Sequence, residues 1–388
     1  MTKFDFDKTV NRYGTDSLKW NVIEGELPMW VADMDFETAP EVKNAVMRVA
    51  ERGVFGYATI PERWFSAIEN WWKTRHNFTI EKKWLSFCTG VIPAVTSMVK
   101  RLSKVGDNVA VFTPVYDIFF HSIENTGRRV IECPLAYDGE KYGINFADFE
   151  DKISLKDTTL LILCNPHNPV GKIWDKDILS KIGELCYKHN VRVISDEIHC
   201  DLTRPKSGYV PFASVSDICR DISATCVSIS KAFNAAGLQS AAVFVPNEDM
   251  RSVLFRGLNA DEVAEPNAFA CESAVAAFTF GGQWLDALRE YIFNNHKILR
   301  EFVKNNLPEL HVVDQDATYL AWVDVSKLTD DASVLCGHIR KTTGLFITAG
   351  NQYRGNGKDF VRINIACPKC TLYDGLDRLK KGIDSFSG

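Results

Sequence analysis

Nowhere in its 388 residues does the sequence hold the ~18 uncharged apolar residues in a row that a membrane-spanning helix needs. Its start, MTKFDFDKTVNRYG, carries acids and polar residues where a secretory signal needs a basic start and an apolar run. The expected setting is the cytoplasm, with no membrane partner. A basic excess is missing too. Lys and Arg total 45 against 50 Asp and Glu, a net charge of −5 without a basic stripe, so no nucleic-acid partner is expected. The eleven cysteines are odd in number and scattered singly through apolar stretches, as at Cys88, Cys164, Cys226 and Cys271. That placement is not a disulfide framework; it fits small buried side chains in a reducing compartment. Repeats, low-complexity tracts and flexible linkers are absent. What is there is an ordinary globular mixture, 46% hydrophobic and 24% charged, long enough for two or three domains at ~100 to 200 residues each.

From about residue 85 to 246, apolar runs rich in β-branched residues alternate with amphipathic segments of helical length. The runs are 108–112, 128–135, 158–164, 191–195, 225–230 and 240–246. Each is nearly continuous rather than alternating, the pattern of strands buried on both faces of a mostly parallel sheet. Residues 91–104 and 175–190 read as helices between them, the second with Ile178, Leu179, Ile182 and Leu185 on one face. The expected fold class is α/β, a three-layer mostly parallel sheet. Further on, helical spacing persists over residues 283–307, and strand candidates at 317–325 and 359–368 enclose one helix and precede another. This predicts a smaller α+β domain.

Ligands of open α/β sheets bind at the carboxyl ends of the strands, and four of those ends carry unusual residues. In NPHNPVG, Asn165 and Asn168 can present amides to a ligand, although a purely structural turn reads the same way. In SDEIHCD, Asp196 ends an apolar run, where a carboxylate is costly unless a cation or donors meet it. A helix N-cap is the plainer reading of Asp196; a metal held by Asp196, His199 and Asp201 has little support, and no metal is expected. In SISKAFNAAGL, Lys231 follows Ser228 and Ser230; an amine there loses hydration and becomes nucleophilic, unless it snorkels to the surface. In FCTGVIPAV, Thr89, Gly90 and Val91 open a helix, a weak sign of an anion site. Cys367 and Cys370 form a CxxC with no second pair, RGNGKDF reads as a loop, and the Asn77 sequon has no meaning in the cytoplasm.

An amine, a carboxylate, an amide, hydroxyls and an anion-binding helix start together describe a pyridoxal phosphate site. On these motifs the sequence resembles the fold type I pyridoxal phosphate enzymes of the class I/II aminotransferase superfamily, and within it the MalY/PatB-type cystathionine β-lyase (C–S lyase) branch. The resemblance runs from MWVADMDF (29–36) through FGYAT (55–59), TPVYDIFF (113–120), NPHNPVGKIW (165–174), SDEIHCDL (195–202), SISKAFNAAGLQSA (228–241) and EPNAFACESAVAAF (265–278) to FVRINIACP (360–368).

The resemblance implies the pyridoxal phosphate transferase-like fold, with a large domain over 50–282 and a small one made of 1–49 and 283–388. It implies pyridoxal 5'-phosphate as cofactor, with Lys231 as Schiff-base lysine, Asp196 on the ring nitrogen, Asn168 on the ring oxygen and Tyr116 stacked on the ring. Gly90, Val91, Ser228 and Ser230 match phosphate contacts, and Tyr57 resembles a tyrosine reaching the phosphate across a homodimer interface. Arg362 matches the arginine that grips the carboxylate of an amino-acid substrate, near Tyr116 and Ala32 of the VADMDF segment. His199 stands among the cofactor contacts where typical aminotransferases carry tyrosine, and an extra phosphate-binding arginine is missing from KAFNAAGL. Both departures favour the lyase branch, which eliminates a thiol from cystathionine or related cysteine thioethers and leaves pyruvate and ammonia. The alternatives are an aminotransferase acting on an amino acid and a 2-oxo acid, a thiol oxidoreductase at the CxxC, and a non-catalytic role.

Overall fold

The computed structural model describes residues 4–387. An eight-stranded sheet forms its centre, in the spatial order Leu85–Cys88, Ala241–Phe244, Ser223–Ser228, Arg192–Asp196, Thr158–Cys164, Asn108–Thr113, Arg129–Tyr137, Tyr142–Ile144. The five strands from Ser223–Ser228 to Arg129–Tyr137 pair in parallel. Ala241–Phe244 runs against both its neighbours, and Tyr142–Ile144 closes the far edge antiparallel.

The continuous apolar runs are explained by what covers them. Val109, Val111, Leu160, Ile162 and Ile194 pack on one face with helix Val91–Leu102, while Ala110, Phe112, Leu161, Leu163 and Val193 pack on the other with helices Phe146–Ile153 and Lys176–Lys188. Alternate residues of a strand point to opposite faces, so a strand covered on both must be apolar throughout. The chain is therefore three-layered, as its sequence pattern requires.

Two sequence readings are corrected. The run 225–230 is strand only to Ser228, whose hydroxyl accepts the Ser230 N–H and caps a short helix, Ile229–Ala232. A capping serine stops the strand where hydropathy alone sees it continue. The edge strand Leu85–Cys88 was not among the runs, being only four residues long. The helices at 175–190 and 283–307 appear as Lys176–Lys188, capped by Asp175, and Gly282–Asn306.

Beyond the long helix lies a second, antiparallel sheet, ordered His311–Val312, Leu320–Asp324, Phe360–Asn364, Thr348–Ala349. Helices Ala332–Thr343 and Lys369–Asp384 accompany it. The N-terminal pair Leu27–Pro28 runs parallel to Leu345–Phe346, which ties the start of the chain to this part. RGNGKDF is a loop that passes through a short 3-10 turn, Gly357–Asp359, and ends at Phe360, where a strand begins. Every cysteine is a free thiol, and all but Cys370 are buried. Among the described residues no helix is long and apolar enough to cross a membrane.

Candidate active site

Register brings Cys164, Asp196 and Cys226 side by side at the carboxyl ends of three parallel strands. In front of them lies a cavity of about 210 Å³. Its walls include Asn168, Asp196, His199, Ser228, Ser230 and Lys231. Tyr116, Gly90, Val91 and Ala32 complete it from other parts of the chain.

Lys231 stands on the helix that Ser228 caps, and its Nζ donates to the Ala32 carbonyl at 2.8 Å. Burial lowers the amine's pKa to about 8; Arg362 adds to that effect, and Asp33 and Asp196 oppose it. Asp196 closes strand Arg192–Asp196 and accepts the Ile198 N–H at 3.0 Å. Burial raises its carboxyl to about 7, the neighbouring Glu197 adds to this, and the Ile198 N–H and Lys231 pull the other way. Glu197 takes the opposite face, bonded by Ser195 Oγ, the Phe212 N–H and the Tyr209 hydroxyl. Asp196 thus keeps a buried carboxylate aimed at the cavity with no basic side chain in ion-pair contact among the described residues.

Both asparagines of NPHNPVG are buried, and the structure separates them. Asn165 donates its amide to the Val210 carbonyl at 3.0 Å and does not line the cavity, so of the two expected amides only Asn168 is presented. Asn168 Oδ1 accepts from Arg362 Nη1 at 3.4 Å. His199 points Nδ1 at nothing: the atom is buried with no partner, and burial, then the Lys231 and Arg362 charges, bring the ring's pKa down to about 3. Burial raises the Tyr116 phenol to about 12.

Helix Val91–Leu102 begins at the cavity with no side-chain cap. A Cβ on Gly90 would stand 3.1 Å from Pro93 Cδ, so a side chain there would crowd the helix start. The start of this helix and the side chains of Ser228 and Ser230 face the same cavity, and uncapped N–H groups at a helix start favour negative charge.

Arg362 comes from the second sheet, on strand Phe360–Asn364. It is buried, donates to the Trp30 carbonyl at 3.1 Å, lies 4.9 Å from the Tyr353 ring centroid and leaves Nε without a partner. No carboxylate pairs with it among the described residues. A buried guanidinium without an anion is costly unless a ligand provides one.

The remaining candidates fall elsewhere. Tyr57 is fully exposed beside a separate surface hollow and does not reach the cavity of its own chain. Asp201 turns away from Asp196 and His199: its carboxylate is bonded by Trp71 Nε1 at 3.1 Å and faces His76 Nε2 at 3.0 Å. The three residues weighed for a metal therefore do not converge. Cys367 is buried and Cys370 exposed.

Sequence reasoning passed over the residues that hold the 31–36 segment across the cavity. Asn364 Nδ2 donates to the Val31 and Asp33 carbonyls at 2.5 and 2.6 Å. Asn234, in the left-handed conformation at φ 50°, brackets Met34 and Phe36 with three hydrogen bonds. Arg12 and the fully buried Lys19 pair with Asp33 and Asp35 behind it. Asn234 and Asn364 both stand inside quoted motifs, and an amide close to a site lysine or arginine was the available signal.

Residues 27–379 match the family model for aminotransferase class I and II. The chain is 38% identical to cystathionine beta-lyase PatB of Bacillus subtilis, over 98% of this chain and 100% of that protein. Its structure superposes on cystalysin from Treponema denticola, which contains pyridoxal 5'-phosphate, with TM-score 0.95 and 31% identity, covering 99% and 100% of the two chains. It also superposes on the pyridoxal phosphate-bound C–S lyase of Staphylococcus hominis, with TM-score 0.93 and 30% identity, again covering 99% and 100%.

Proposed function

The chain belongs to the class I and II aminotransferase family, and we propose that it works there as a pyridoxal phosphate-dependent carbon–sulfur lyase. Its substrate would be cystathionine or a related cysteine thioether. The observation that carries this reading is an enclosed primary amine, Lys231 Nζ, set near a buried guanidinium, Arg362, that lacks a carboxylate. One is a base and the other a seat for an amino acid. Elimination is favoured over amino transfer by the full-length similarity to a cystathionine β-lyase.

The residues fit the cofactor. Asp196, buried without a cation, suits a protonated ring nitrogen, and Asn168 suits the ring oxygen. Tyr116 offers its ring face, His199 brings an unpartnered Nδ1, and Gly90, Val91, Ser228 and Ser230 make the phosphate seat. When bound, pyridoxal phosphate supplies an aldehyde for an amine and a ring that draws electrons from the substrate's α-carbon.

The chain's own groups do the rest. Arg362 would hold the substrate carboxylate with its planar fork, beside Ala32 and Tyr116. Lys231, brought by burial to about 8, would take the α-proton as general base and return a proton to the departing sulfur. The net reaction consumes water and yields a thiol, pyruvate and ammonia; from cystathionine the thiol is homocysteine. The test is incubation with cystathionine and pyridoxal phosphate in the absence of any 2-oxo acid. Pyruvate and thiol should appear in equal amounts, whereas no pyruvate together with amino transfer to an added 2-oxo acid would establish the aminotransferase.

The working assembly we propose is a cytoplasmic homodimer in which the exposed Tyr57, with Val54 and Phe55 nearby, reaches the phosphate of the second copy. Sedimentation should give twice the chain mass, and a fully active monomer would contradict it. We propose a large domain over 50–282 and a small one from 1–49 and 283–388; the pairing of Leu27–Pro28 with Leu345–Phe346 supports the joining of the two ends.

A further inference from the structure

Ala32 sits in a tight turn in which the Asp33 N–H donates to the Val31 carbonyl at 2.9 Å. Its own carbonyl oxygen accepts two hydrogen bonds, from Lys231 Nζ at 2.8 Å and from the Tyr319 hydroxyl at 2.9 Å. Tyr319 is fully buried just before strand Leu320–Asp324. A carbonyl oxygen has two lone pairs. With one occupied by a rigid, buried phenol, the other is left pointing in a fixed direction, and the lysine takes it.

We propose that Tyr319 is a positioning residue for Lys231: by pinning the Ala32 carbonyl it fixes the place where the amine rests whenever it is not joined to the cofactor. The proposal rests on the reading of Lys231 as the base. A lysine stem is long and flexible, and a base that wanders by an ångström can lose about a hundredfold in rate. The Ala32 carbonyl removes that freedom, and Tyr319 keeps the carbonyl from turning away. Sequence and topology explain how a residue 287 positions distant comes to serve this turn: Tyr319 leads into the strand that pairs with the one carrying Arg362 and Asn364.

The amine is faced by Asp196 from the large sheet, by Asp33 from the N-terminal segment, and by Arg362 and His199. All four stay in place in Tyr319→Phe, so a change in the titration of Lys231 there reports on the carbonyl. The experiment follows reductive methylation of Lys231 against pH in cofactor-free wild type and Tyr319→Phe, read by mass spectrometry. Without the phenol the carbonyl is free to turn from the ammonium, which loses a fixed acceptor, and the labelling midpoint should fall by about half a pH unit or more. In the loaded variant KM should stay within about twofold while kcat falls about tenfold. The midpoint decides: if it does not move, the proposal is overturned, whatever happens to kcat or to melting. Should Tyr319→Phe not fold, Tyr319→Leu removes the same donor. A wild-type enzyme that releases no thiol would sink the lyase reading and still leave a midpoint shift in place, so the two failures are distinguishable.

Discussion

The two walls of the cavity are built differently. On the large-sheet wall, contacts are local: Ser228 bonds Ser230 two residues on and Ser240 twelve on, Asp196 accepts from Ile198, and the Asn168 N–H meets Cys164 Sγ four residues back. On the opposite wall they are remote. Arg362 reaches Trp30 across 332 positions, Asn364 reaches Val31 across 333, and Lys231 reaches Ala32 across 199. The first wall is held by strand register and a helix cap within the large sheet. The second exists only when the N-terminal segment, the second sheet and the lysine turn are packed together. Lesions in the first should strip cofactor; lesions in the second should leave cofactor bound and damage the handling of substrate.

The largest expected effect is at the seam. Lys231→Ala should lose about 10³- to 10⁴-fold in kcat together with the visible absorbance of the bound cofactor. An unchanged spectrum would place the cofactor elsewhere. Next comes Asp196→Asn on the local wall, which cannot hold a charge against the ring; kcat should fall about a hundredfold and cofactor affinity with it. Full affinity and rate would remove Asp196 from the account. On the remote wall, Asn234→Ala deletes three bonds to the covering segment. It should cost about tenfold in kcat/KM with cofactor affinity within about twofold. Equal losses in both would erase the distinction between the walls.

The smallest effect is in acid. His167, on the large-sheet side, and His296, on the long helix, are each held to about pKa 4 by burial. Unfolded histidine takes its proton near 6.5, so the stability each contributes is complete above that pH and is lost as pH falls toward 4. Wild type should melt lower at pH 5 than at pH 7, and His296→Gln should show a shallower decline. Identical slopes would exclude His296.

The same contrast explains how far the sequence could be read. Strands buried on both faces announce themselves by composition, and Asp196, Ser228 and Lys231 stand where such strands end, so the α/β fold and the local wall were legible. Asn165 misled because an amide in a proline-rich turn serves the backbone as readily as a ligand, and only the position of Val210 tells which. Tyr319 read as one more aromatic in an apolar strand, since the carbonyl it holds lies at the other end of the chain. Tyr57 was placed by resemblance alone, because its proposed target belongs to a second copy.

The most direct measurement is a paired titration of Arg362→Ala, following cofactor by its visible absorbance and a thioether substrate by initial rate. The division between the walls predicts cofactor affinity within about twofold of wild type and a KM raised about a hundredfold or more, the cost of a lost charge-assisted contact. Cofactor lost in step with substrate would contradict it.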